Sequence, residues 1–542
     1  MNRVLFICLC AFPTVWPSVA LDAGEPILAD LVADFGSPWI PIVAFAGAHA
    51  AAIDAPEKAS IDAVEAGMKP DGSVACDDIL RSIIDRHDHN SPLAIRFPAG
   101  EYLFNRPVFV DRSRISLIGA GSKHTTFRFT QPLSKLLRTE HTQTNAPFGW
   151  RGGLIWIEAN PAYTRIPTTA YSISGTAAAG SGRLTIAPAS AAAFRRELAS
   201  SGSGKCHMRL AGNRAWIHEM FGSSSAAQAV DWPSWELIRP PPENVVMYER
   251  CLDVESIDDD GTVLLRTPLP VRIDPSWRPV IGFRSGDSHD ITLSGLSISF
   301  PYTPAGAHLE EPGWNGIFVR VAHEVILDDL VFENADNGII LERTSHATLR
   351  NIVCSGTRGM HHAISLRNQS HDNLIDGFRL DAPVAHGISK QDLSSGNVVT
   401  RGTMNHGTLD NHRGMPFDNV RTEITLRPDG TGGGAQGPLL GRRIVNWNIT
   451  IESRLSATAS AKDIARQRRR EAALTGSQWY VSGALIGIQG APPQPESLPW
   501  QLPPGDKGTL VAAWGVRPEP RNLYDAQRAW WATASGAWRA SR

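Results

Sequence analysis

Histidines are concentrated in one stretch of the chain. Six of the seventeen histidines fall between His361 and His412; Lys390 and Asp410 lie in the same stretch, and Arg413 follows it directly. A neutral imidazole can accept a proton near physiological pH, and an imidazolium can return one. A lysine or arginine beside such groups can neutralise a negative charge on a substrate. The residue types in this stretch therefore indicate proton transfer on an acidic substrate.

These histidines belong to an internal repeat. Segments with a common pattern, NGIFVR, NGIILE, HAISLR, HGISKQ and HGTLDN, begin 22, 25, 24 and 20 residues apart, at Asn315, Asn337, His362, His386 and His406. A second set begins within the same units, at Ser288, Ala322, Ser345, Ser370, Ser395 and Phe417. Two short strands in every period of about 20 to 25 residues are typical of one coil of a β-solenoid. One coil cannot bury its inner face alone, so the stacking of coils must supply the core.

The repeat places the histidines in two columns. The first, one residue per coil after Ser or Ala, is typical of a structural ladder. It consists of His289, His323, His346 and His371. The second runs through Asn315, Asn337, His362, His386 and His406. An Asn there bonds the backbone of its turn, whereas a His adds a group that titrates near neutrality. The second column is therefore either a variant turn or part of a functional site.

One strand of the repeat breaks the core pattern. Lys390 stands where the preceding coils have Val319, Leu341 and Leu366. A buried cation is unfavourable unless the chain turns outward or a partner pairs with it, and such breaks are expected at functional sites. The segment 408–423 then holds many ionisable groups in one coil, namely Asp410, His412, Arg413, Asp418, Arg421 and Glu423. Such a coil is either a solvated edge or a groove, and we favour the groove.

Two reactions fit these residues. β-Elimination from a uronic acid needs a cation for the carboxylate, a base for the C5 proton and an acid for the departing O4. We assign the carboxylate to Arg413 or Arg421, and the base to Lys390, His386 or His412. Hydrolysis needs paired carboxylates about 5 Å or about 6.5 to 9.5 Å apart, for which the candidates are Asp392, Asp410, Asp418 and Glu423. Cations and imidazoles outnumber carboxylates in the cluster, which favours a polysaccharide lyase over a glycoside hydrolase.

The predicted site contains two groups of residues. The catalytic residues are His386, Lys390, His412, Arg413 and Asp410. The substrate-binding residues are His362, Arg367, Asp392, His406, Asp418 and Arg421. A third interpretation is a carbohydrate-binding or structural β-helix without catalysis, in which the histidine column is only a ladder and Lys390 lies outside the coil.

The opening module resembles a known family. The segment AIRFPAGEYLF, from Ala94 to Phe104, predicts a strand, a tight turn and a second strand, followed by SLIGAG and TTFRF. These segments resemble the first coils of pectate-lyase-like proteins, and the repeat carries the likeness to about Thr450. The resemblance implies an all-β fold, a right-handed parallel β-helix of the pectin-lyase type. This fold hosts lyases, hydrolases, epimerases and esterases, and the motifs of polygalacturonase-like hydrolases and alginate epimerases are absent at matching positions, so no residue role is carried over.

The repeat and its interruptions predict the organisation of the chain. Residues 1–20 resemble a secretory signal peptide, with Arg3, an apolar run and small residues before a cleavage site. We assign 21–90 to an N-terminal cap, 91–135 and 280–455 to the β-helix, 136–279 to an inserted β-rich subdomain, and 456–542 to a C-terminal extension with a charged segment and a capping tail. We expect a secreted or periplasmic protein.

Composition argues against several classes of function. The net charge of −2 indicates no nucleic-acid partner, and no run after the leader approaches the roughly 20 apolar residues that span a bilayer. Cys76, Cys206, Cys251 and Cys354 allow three pairings, Cys206–Cys251 among them, and their spacing is not that of a zinc site. We predict no cofactor and no metal; calcium lacks support because the stretch has no compact acidic cluster. The expected partner is a polysaccharide, and the oligomeric state is left open.

Overall fold

A computed structural model describes most of the chain. The described residues are 19–21, 33–35, 37, 39–49, 60–89, 91–137, 148–158, 169–211, 246–284, 286–305, 309–428, 442–453, 455, 458–465, 467, 482–490 and 509–541. The expected leader lies outside them except at Val19 and Ala20. Of the charged segment that begins at Ala461, residues 461–465 and 467 are described as helical, and the remainder up to Leu474 lies outside.

Short strands dominate the described chain. In order they are β1 Val19–Leu21, β2 Ser60–Asp62, β3 Asp71–Ala75, β4 Leu93–Phe97, β5 Gly100–Phe104, β6 Val108–Val110, β7 Ile115–Gly119, β8 Thr125–Phe129, β9 Ile155–Ile157, β10 Tyr171–Ser174, β11 Arg183–Ile186, β12 Lys205–Ala211, β13 Val246–Ile257, β14 Thr262–Leu265, β15 Val280–Gly282, β16 Ser288–Ser299, β17 Asn315–Glu333, β18 Asn337–Ser355, β19 His362–Arg367, β20 Leu374–Leu380, β21 Ile388–Gln391, β22 Val398–Met404, β23 Leu409–Arg413, β24 Val420–Leu426, β25 Val445–Ile451, β26 Ala484–Ile486 and β27 Leu510–Ala512. The α-helices are α1 Asp77–Arg86, α2 Leu133–Leu136, α3 Ala191–Ser200 and α4 Leu523–Ser541.

Most strands stack into three parallel sheets that wind as a right-handed parallel β-helix. Sheet 1 runs through β2, β4, β7, β16, β17, β18, β20, β22, β24, β25, β26, β27 and β1. Sheet 2 begins with β3, β5 and β8. It continues through the last residues of β16, β17, β18, β20, β22, β24 and β25, whose preceding residues belong to sheet 1. Sheet 3 runs through β6, β9, the first residues of β17 and β18, then β19, β21 and β23. The fold that the resemblance implies is confirmed.

Each full coil contributes three strands, one more than the sequence analysis predicts. The strands of sheets 1 and 2 are joined at a single residue with positive φ, as at Asp329 (51°), Asn351 (53°) and Arg401 (52°). Asn and Asp tolerate this left-handed conformation better than most residues. A bend of one residue leaves no turn signature in the sequence, so the two strands look like one.

The interior of the coils is filled by aliphatic side chains in register. Two such columns lie in sheet 3, Ile317–Ile339–Ile364–Ile388 and Val319–Leu341–Leu366. All of these side chains are buried in one continuous core. Burial of a large aliphatic side chain contributes about 1.5 to 3 kcal/mol, so the columns hold successive coils together.

A ladder of asparagines supports the turn before sheet 1. Asn373 Nδ2 donates to Asn397 Oδ1 at 2.9 Å, and Asn397 Nδ2 donates to Asn419 Oδ1 at 3.0 Å. Asn397 Nδ2 also donates to the backbone oxygen of Ser370 at 3.0 Å. The three amides are fully buried. They satisfy backbone groups that the turn would otherwise leave unpaired.

The segment between β9 and β16 forms a closed antiparallel barrel. Its spatial strand order is β10, β11, β14, β13, β12 and β15. The barrel core contains Phe194 and Trp277 and continues onto the β-helix through Leu393, Met415 and Phe417. These three residues follow strands of sheet 3. The barrel is the β-rich insertion that the sequence predicts, and it packs on the turns after sheet 3.

Segments from both ends of the chain pack on the outer face of sheet 1. Residues 39–49, here called the strap, place Ile40 and Val43 in a cluster with Val398 of β22. The backbone N–H of Val43 donates to Gln527 Oε1 at 2.8 Å, and Tyr524 Oη donates to the Ala46 oxygen at 2.7 Å. Helix α4 therefore holds the strap against sheet 1.

The described cysteines Cys76, Cys206, Cys251 and Cys354 are buried thiols. Cys206 and Cys251 lie on the paired strands β12 and β13 without a bond between their sulfurs. No helix in the described ranges combines the length and apolar character needed to cross a membrane.

Replacing Asn397 by Ala is expected to lower the free energy of unfolding by about 2 to 4 kcal/mol, because several buried polar groups lose their partners at once. Urea denaturation followed by circular dichroism measures the loss. Asn105→Ala, at an exposed position, is the control and should change stability by less than about 0.5 kcal/mol. An equally small effect for Asn397→Ala would contradict a supporting role for the ladder.

Candidate active site

The outer face of sheet 3 changes character along the stack. Its central column is apolar in the early coils and polar in the later ones, running Phe109, Trp156, Phe318, Ile340, Ser365, Ser389 and Asp410. A second outward column is charged and contains Arg320, Glu342 and Arg367. The residues that alternate with these columns belong to the core. The polar end of the face is therefore built by the coils that contain the histidine-rich stretch.

Four imidazoles meet at this polar end. The ring centroids of His361 and His362 lie 4.4 Å apart, those of His362 and His386 4.8 Å, and those of His386 and His412 4.6 Å. His362 and His386 each lie two residues before the paired residues Ile364 and Ile388, which explains why their rings stack. His412 lies in β23 at a β-bulge opposite the Lys390–Gln391 step. Bulges of this kind re-aim side chains next to active sites.

Asp410 holds two of these imidazoles. Its Oδ2 accepts a hydrogen bond from His386 Nδ1 at 2.9 Å and from His412 Nδ1 at 2.8 Å. Burial raises the pKa of Asp410, but the two hydrogen bonds and the histidine charges lower it by more, so its pKa lies below the usual value. The group is ionised at neutral pH and can only accept, so both Nδ1 atoms carry protons. In a neutral ring Nε2 then keeps the lone pair.

The four imidazoles differ in access to solvent. The side chains of His412 and His386 are 17% and 10% exposed. His362 is buried, and burial, followed by the neighbouring histidines, lowers its pKa well below the usual value. The His362 Nδ1 has no hydrogen-bond partner within the described ranges. His386 and His412 are therefore the members that a substrate can reach, and His362 is a neutral group behind them.

A loop at residues 148–152 ends beside the imidazoles. Asn315 Nδ2 donates to the backbone oxygens of Phe148 and Gly152 at 2.9 and 3.0 Å, and Asn337 Nδ2 donates to that of Gly149 at 3.1 Å. The asparagines at the start of the second column thus anchor this loop. In the next coils the same column carries His362 and His386. The column therefore changes from asparagines that bind the loop to histidines that form the imidazole cluster.

Arg367 borders the cluster on the charged column. A guanidinium N–H of Arg367 donates to the backbone oxygen of Trp150, in the loop just described. Its charge also contributes to the lowered pKa of His362 and of Glu342. Glu342 in turn accepts from Arg320 Nε at 3.1 Å. Arg367 therefore supplies positive charge at the edge of the imidazole cluster.

Lys390 and Arg421 lie on the other side of the strands, inside the coil. Lys390 continues the core column of Leu366, and Arg421 continues that of Val399. Both are fully buried. The register predicted from the sequence holds, and the chain does not turn outward, so the expectation that these two cations face a groove is corrected.

The interior around these cations is polar. Arg421 Nη2 donates to Asn411 Oδ1 at 2.7 Å, and Nη1 donates to Asn446 Oδ1 at 3.4 Å. Within the described residues Lys390 Nζ has no hydrogen-bond partner. Burial lowers the pKa of Lys390 well below the usual value, the charge of Arg421 lowers it further, and Asp410 offsets part of the effect.

Asp392 and Asp418 lie beyond the C-terminal ends of the strands of sheet 3, in the turns that lead to sheet 1. Asp418 forms a two-point ion pair with Arg443, with distances of 2.7 and 2.6 Å. Asp418 and Arg443 line a cavity of about 30 Å³ between the strap, the barrel and the β-helix. Asp392 precedes Leu393, which packs into the barrel core. Neither aspartate joins the imidazole cluster. The two aspartates lie beyond the C-terminal ends of the strands of sheet 3, whereas His362 and His386 lie at the N-terminal ends.

The predicted residue His406 does not extend the histidine column, and the predicted catalytic role of Arg413 stays a prediction. Ile388 pairs with Leu409, so Gly407, and not His406, occupies the position of His386 in the next coil. Arg413 is the last residue of β23, and its side chain lies outside the description.

The predicted structural column of histidines is a ladder only in part. His289 and His323 stack with centroids 5.3 Å apart and planes within 5°. His323 then pairs with Ser345, so His346 lies one residue out of the column. The ring of His346 instead packs 4.6 Å from that of His49 in the strap.

Donor atoms of His386, Asp410 and His412 lie within 4.8 Å of one another and could hold a metal ion. The nitrogen–oxygen distances at Asp410, 2.9 and 2.8 Å, are hydrogen-bond lengths, so protons account for the geometry. The absence of a metal from this site stays a prediction.

Residues that the sequence analysis did not single out also border the cluster. His361 Nδ1 lies 3.3 Å from Glu311 Oε1, and the Trp150 ring lies 6.3 Å from that of His361. The His–His pair at 361 and 362 is visible in the sequence and could have marked His361. Trp150 and Glu311 belong to segments outside the repeat, so nothing in the sequence pattern points to them.

No family model and no curated protein matches the chain. Among solved structures, the chain is similar to the tailspike gp49 of Pseudomonas phage LKA1, with 13% identity, a TM-score of 0.43, and 72% of this chain and 61% of that chain covered. It is also similar to the A-module of the Azotobacter vinelandii mannuronan C-5 epimerase AlgE4, with 11% identity, a TM-score of 0.34, and 84% and 95% covered. The chain is also similar to the family 28 exopolygalacturonase of Yersinia enterocolitica, with 10% identity and a TM-score of 0.25. That match covers 84% of this chain and 78% of the exopolygalacturonase. Likeness this low carries no functional argument, and the chain spans about three fifths of the tailspike.

Replacing Lys390 by Met is expected to raise the free energy of unfolding by about 1 to 3 kcal/mol near neutral pH, because an apolar side chain then continues the column of Leu366. The folded-state pKa of Lys390 lies below the unfolded value, so the unfolded wild type binds the extra proton and wild-type stability rises with pH up to about 10.4. The gain of the variant should therefore shrink between about pH 6 and about pH 9 in urea titrations. Leu366→Met is the control, with a change of less than about 1.5 kcal/mol and no such pH dependence. A destabilised Lys390→Met would contradict this account.

Proposed function

We propose that this protein cleaves a uronic-acid-containing polysaccharide by β-elimination at the imidazole cluster. One observation carries the proposal: a buried, ionised Asp410 binds two partly exposed imidazoles on the outer face of sheet 3. A carboxylate that fixes the orientation of an imidazole and stabilises its charged form is a recurring arrangement in proton transfer.

The two imidazoles divide the proton transfers between them. His412, the more exposed ring, removes the C5 proton of the uronate through Nε2. His386, bound through Nδ1 to Asp410, donates a proton from Nε2 to O4 as the C4–O4 bond breaks. The electron pair of the C5–H bond forms the C4–C5 double bond, and the leaving sugar departs with a hydroxyl group. Asp410 does not itself transfer a proton; it fixes both rings and offsets the charge of the protonated one.

Arg367 neutralises the substrate carboxylate. Removal of the C5 proton places negative charge on the carboxylate, and a guanidinium binds a carboxylate at two points. Arg367 is the predicted substrate-binding arginine whose side chain lies beside the imidazoles, since Arg421 lies inside the coil. It therefore takes the role that the sequence analysis gave to Arg413 or Arg421.

The carboxylates around the cluster favour elimination over hydrolysis. A glycoside hydrolase needs two carboxyl groups placed on either side of the scissile bond. Within the described residues Asp410 is shared by two imidazoles, Glu342 is bound by Arg320, and Glu311 lies against His361. Of the other candidates, Asp392 and Asp418 lie beyond the far ends of the strands of sheet 3. Glu423 lies on β24, outside sheet 3, and accepts a hydrogen bond from Asn522 Nδ2 at 2.9 Å.

Aromatic and imidazole side chains are accessible at different places along the outer face of sheet 3. The outward columns of sheet 3 present one residue per coil, so contacts repeat along the axis at about 4.8 Å. Phe109, at an exposed position, packs with its centroid 5.9 Å from that of Trp156 in the early coils. Between these rings and the imidazoles the outward column is buried, at Phe318, Ile340 and Ser365. A polysaccharide therefore reaches the site at His386 and His412. A secreted or periplasmic location, expected from the leader, agrees with such a substrate.

His412→Gln and His386→Gln are each expected to lower kcat by about 100-fold to 10000-fold, because each removes one proton-transfer group. Asp410→Asn is expected to lower kcat similarly, because an amide can donate to Nδ1 and so select the wrong tautomer. The measurement is the ultraviolet absorbance of the unsaturated uronate formed during incubation with a panel of acidic polysaccharides. Circular dichroism of each variant checks that the fold is intact.

His124→Gln is the matched control, because His124 is exposed in a turn away from sheet 3. It should act at the wild-type rate. New reducing ends without ultraviolet absorbance would reassign the protein as a hydrolase. Binding without either product would leave a carbohydrate-binding β-helix as the function.

Arg367→Gln is expected to lower kcat/KM on a uronate polymer by about 10-fold to 150-fold, the range for a lost hydrogen bond to a charged group. The loss should be much smaller on the same polymer with esterified carboxyl groups, because the charge to be neutralised is then absent. Arg379→Gln, at an exposed position, is the control. An equal loss on both polymers would contradict the assignment of Arg367 to the carboxylate.

A further inference from the structure

A second group of metal-ligating side chains lies where the strap meets the β-helix and the barrel. One ring nitrogen of His49, one of His346 and one carboxylate oxygen of Glu324 all lie within 4.8 Å of one another. His49 belongs to the strap, Glu324 to β17 and His346 to β18. Asp253, on barrel strand β13, has its Oδ2 3.9 Å from His49 Nδ1. Four separate parts of the chain therefore converge on one point.

The orientation of the His49 ring is that of a metal ligand. Its Nε2 lies 3.1 Å from the backbone oxygen of Phe45, and a carbonyl can only accept, so Nε2 carries the proton. Nδ1 then faces Glu324 Oε1 at 3.5 Å and Asp253 Oδ2 at 3.9 Å. Both distances exceed those of an N–H···O hydrogen bond. A ring nitrogen facing two carboxylates at this spacing is the arrangement of a metal ligand, and metal-bound histidines usually donate their other N–H to a carbonyl in this way.

His346 provides an independent sign of the same site. Its residue is only 3% exposed, and its Nδ1 has no hydrogen-bond partner in the part of the chain that the structure describes. Its ring lies 4.6 Å from that of His49. A buried polar atom without a partner is uncommon and calls for a bound ion or water.

The contrast with Asp410 sharpens the assignment. At Asp410 both imidazoles lie at hydrogen-bond distance from one oxygen, and protons satisfy the group. At Glu324 the nearest approach of a His49 ring nitrogen is 3.5 Å, and the carboxylate is instead held by the His49 backbone N–H at 2.6 Å. The second group therefore has room between its ligand atoms, whereas the first does not.

The charge of the surroundings allows a cation. Lys205 Nζ lies 2.8 Å from Glu324 Oε1 and 3.7 Å from Asp253 Oδ2. With neutral imidazoles, these three groups and Arg266, whose Nε lies 3.4 Å from Asp253 Oδ1, sum to zero net charge. Two imidazole nitrogens with carboxylate oxygens suit zinc and other divalent first-row transition metals. The His49 side chain is 35% exposed, which leaves a route for an ion from solvent.

We propose that His49, His346 and Glu324 bind one divalent first-row transition metal ion, with Asp253 within reach of a fourth position. The ion ties the strap to β17, β18 and the barrel. This site is separate from the imidazole cluster and does not depend on the proposed β-elimination.

Zinc is the probe for the test. The full chain is loaded with zinc, passed through gel filtration and analysed for bound metal, and its melting temperature is compared with and without a chelator. The wild type should retain one zinc ion per chain and melt at a lower temperature once the metal is removed. His49→Ala, at a partly exposed position, and His346→Gln should both lose the ion. The zinc affinity of each variant should fall by more than about 100-fold, the upper end of the loss typical when a residue that only supports a metal ligand is removed. The chelator should not change the melting temperature of either variant.

Two controls separate this site from others. His412→Ala removes the other three-ligand group and should keep the ion, and His89→Ala, at an exposed position, should behave as the wild type. Absence of zinc from the wild type, or its retention in both His49→Ala and His346→Gln, would overturn the proposal. Loss of zinc in His412→Ala alone would also overturn it and would place the ion at Asp410. The outcome of the elimination assay has no bearing on these results.

Discussion

The structure depends on the hydrogen-bonded register between successive coils. In a parallel ladder each residue lies beside its counterpart in the next coil, at about 4.8 Å. Residues that are 20 to 25 positions apart in the chain therefore become neighbours, and a column of such residues acts as a unit. Asn315, Asn337, His362 and His386 form one column through this register alone. The loop anchor and the imidazole cluster are two ends of that column.

The same ladder decides which face of a strand each side chain occupies. Alternation along β23 sends Asp410 outward and Asn411 inward, although the two are adjacent in sequence. The outward residue binds two imidazoles, and the inward one binds Arg421 inside the coil. A polar interior beside a candidate active site departs from the usual pattern of a core. Its cations cannot reach a substrate on the other side of the sheet, so they affect the stability of these coils, which Lys390, unpaired among the described residues, lowers, and not the proposed reaction.

Two groups of histidines and carboxylates in this molecule differ in geometry, and we propose different roles for them. Around Asp410 the short nitrogen–oxygen distances describe a hydrogen-bonded set suited to moving protons. Around Glu324 the distances are longer, and His346 Nδ1 is buried without a hydrogen-bond partner among the described residues, which suits a cation. The second group joins the strap, the β-helix and the barrel, which the repeat does not hold together. Helix α4 and the ion would then secure the same strap from its two ends.

The sequence by itself determined the repeat, the parallel β-helix and the inserted β-rich unit, because stacking forces each coil to repeat its pattern of core and turn residues. It also identified the histidine column and predicted that Lys390 replaces a core residue. It could not reveal the third strand of each coil, since a one-residue bend at Asp329 or Asn351 leaves no signature. Nor could it decide which face Arg421 and Lys390 occupy once polar residues enter the core. Only the tertiary structure brings Trp150 to Arg367, or His49 to Glu324, because these contacts join segments outside the repeat to the stack, and no period in the sequence encodes them.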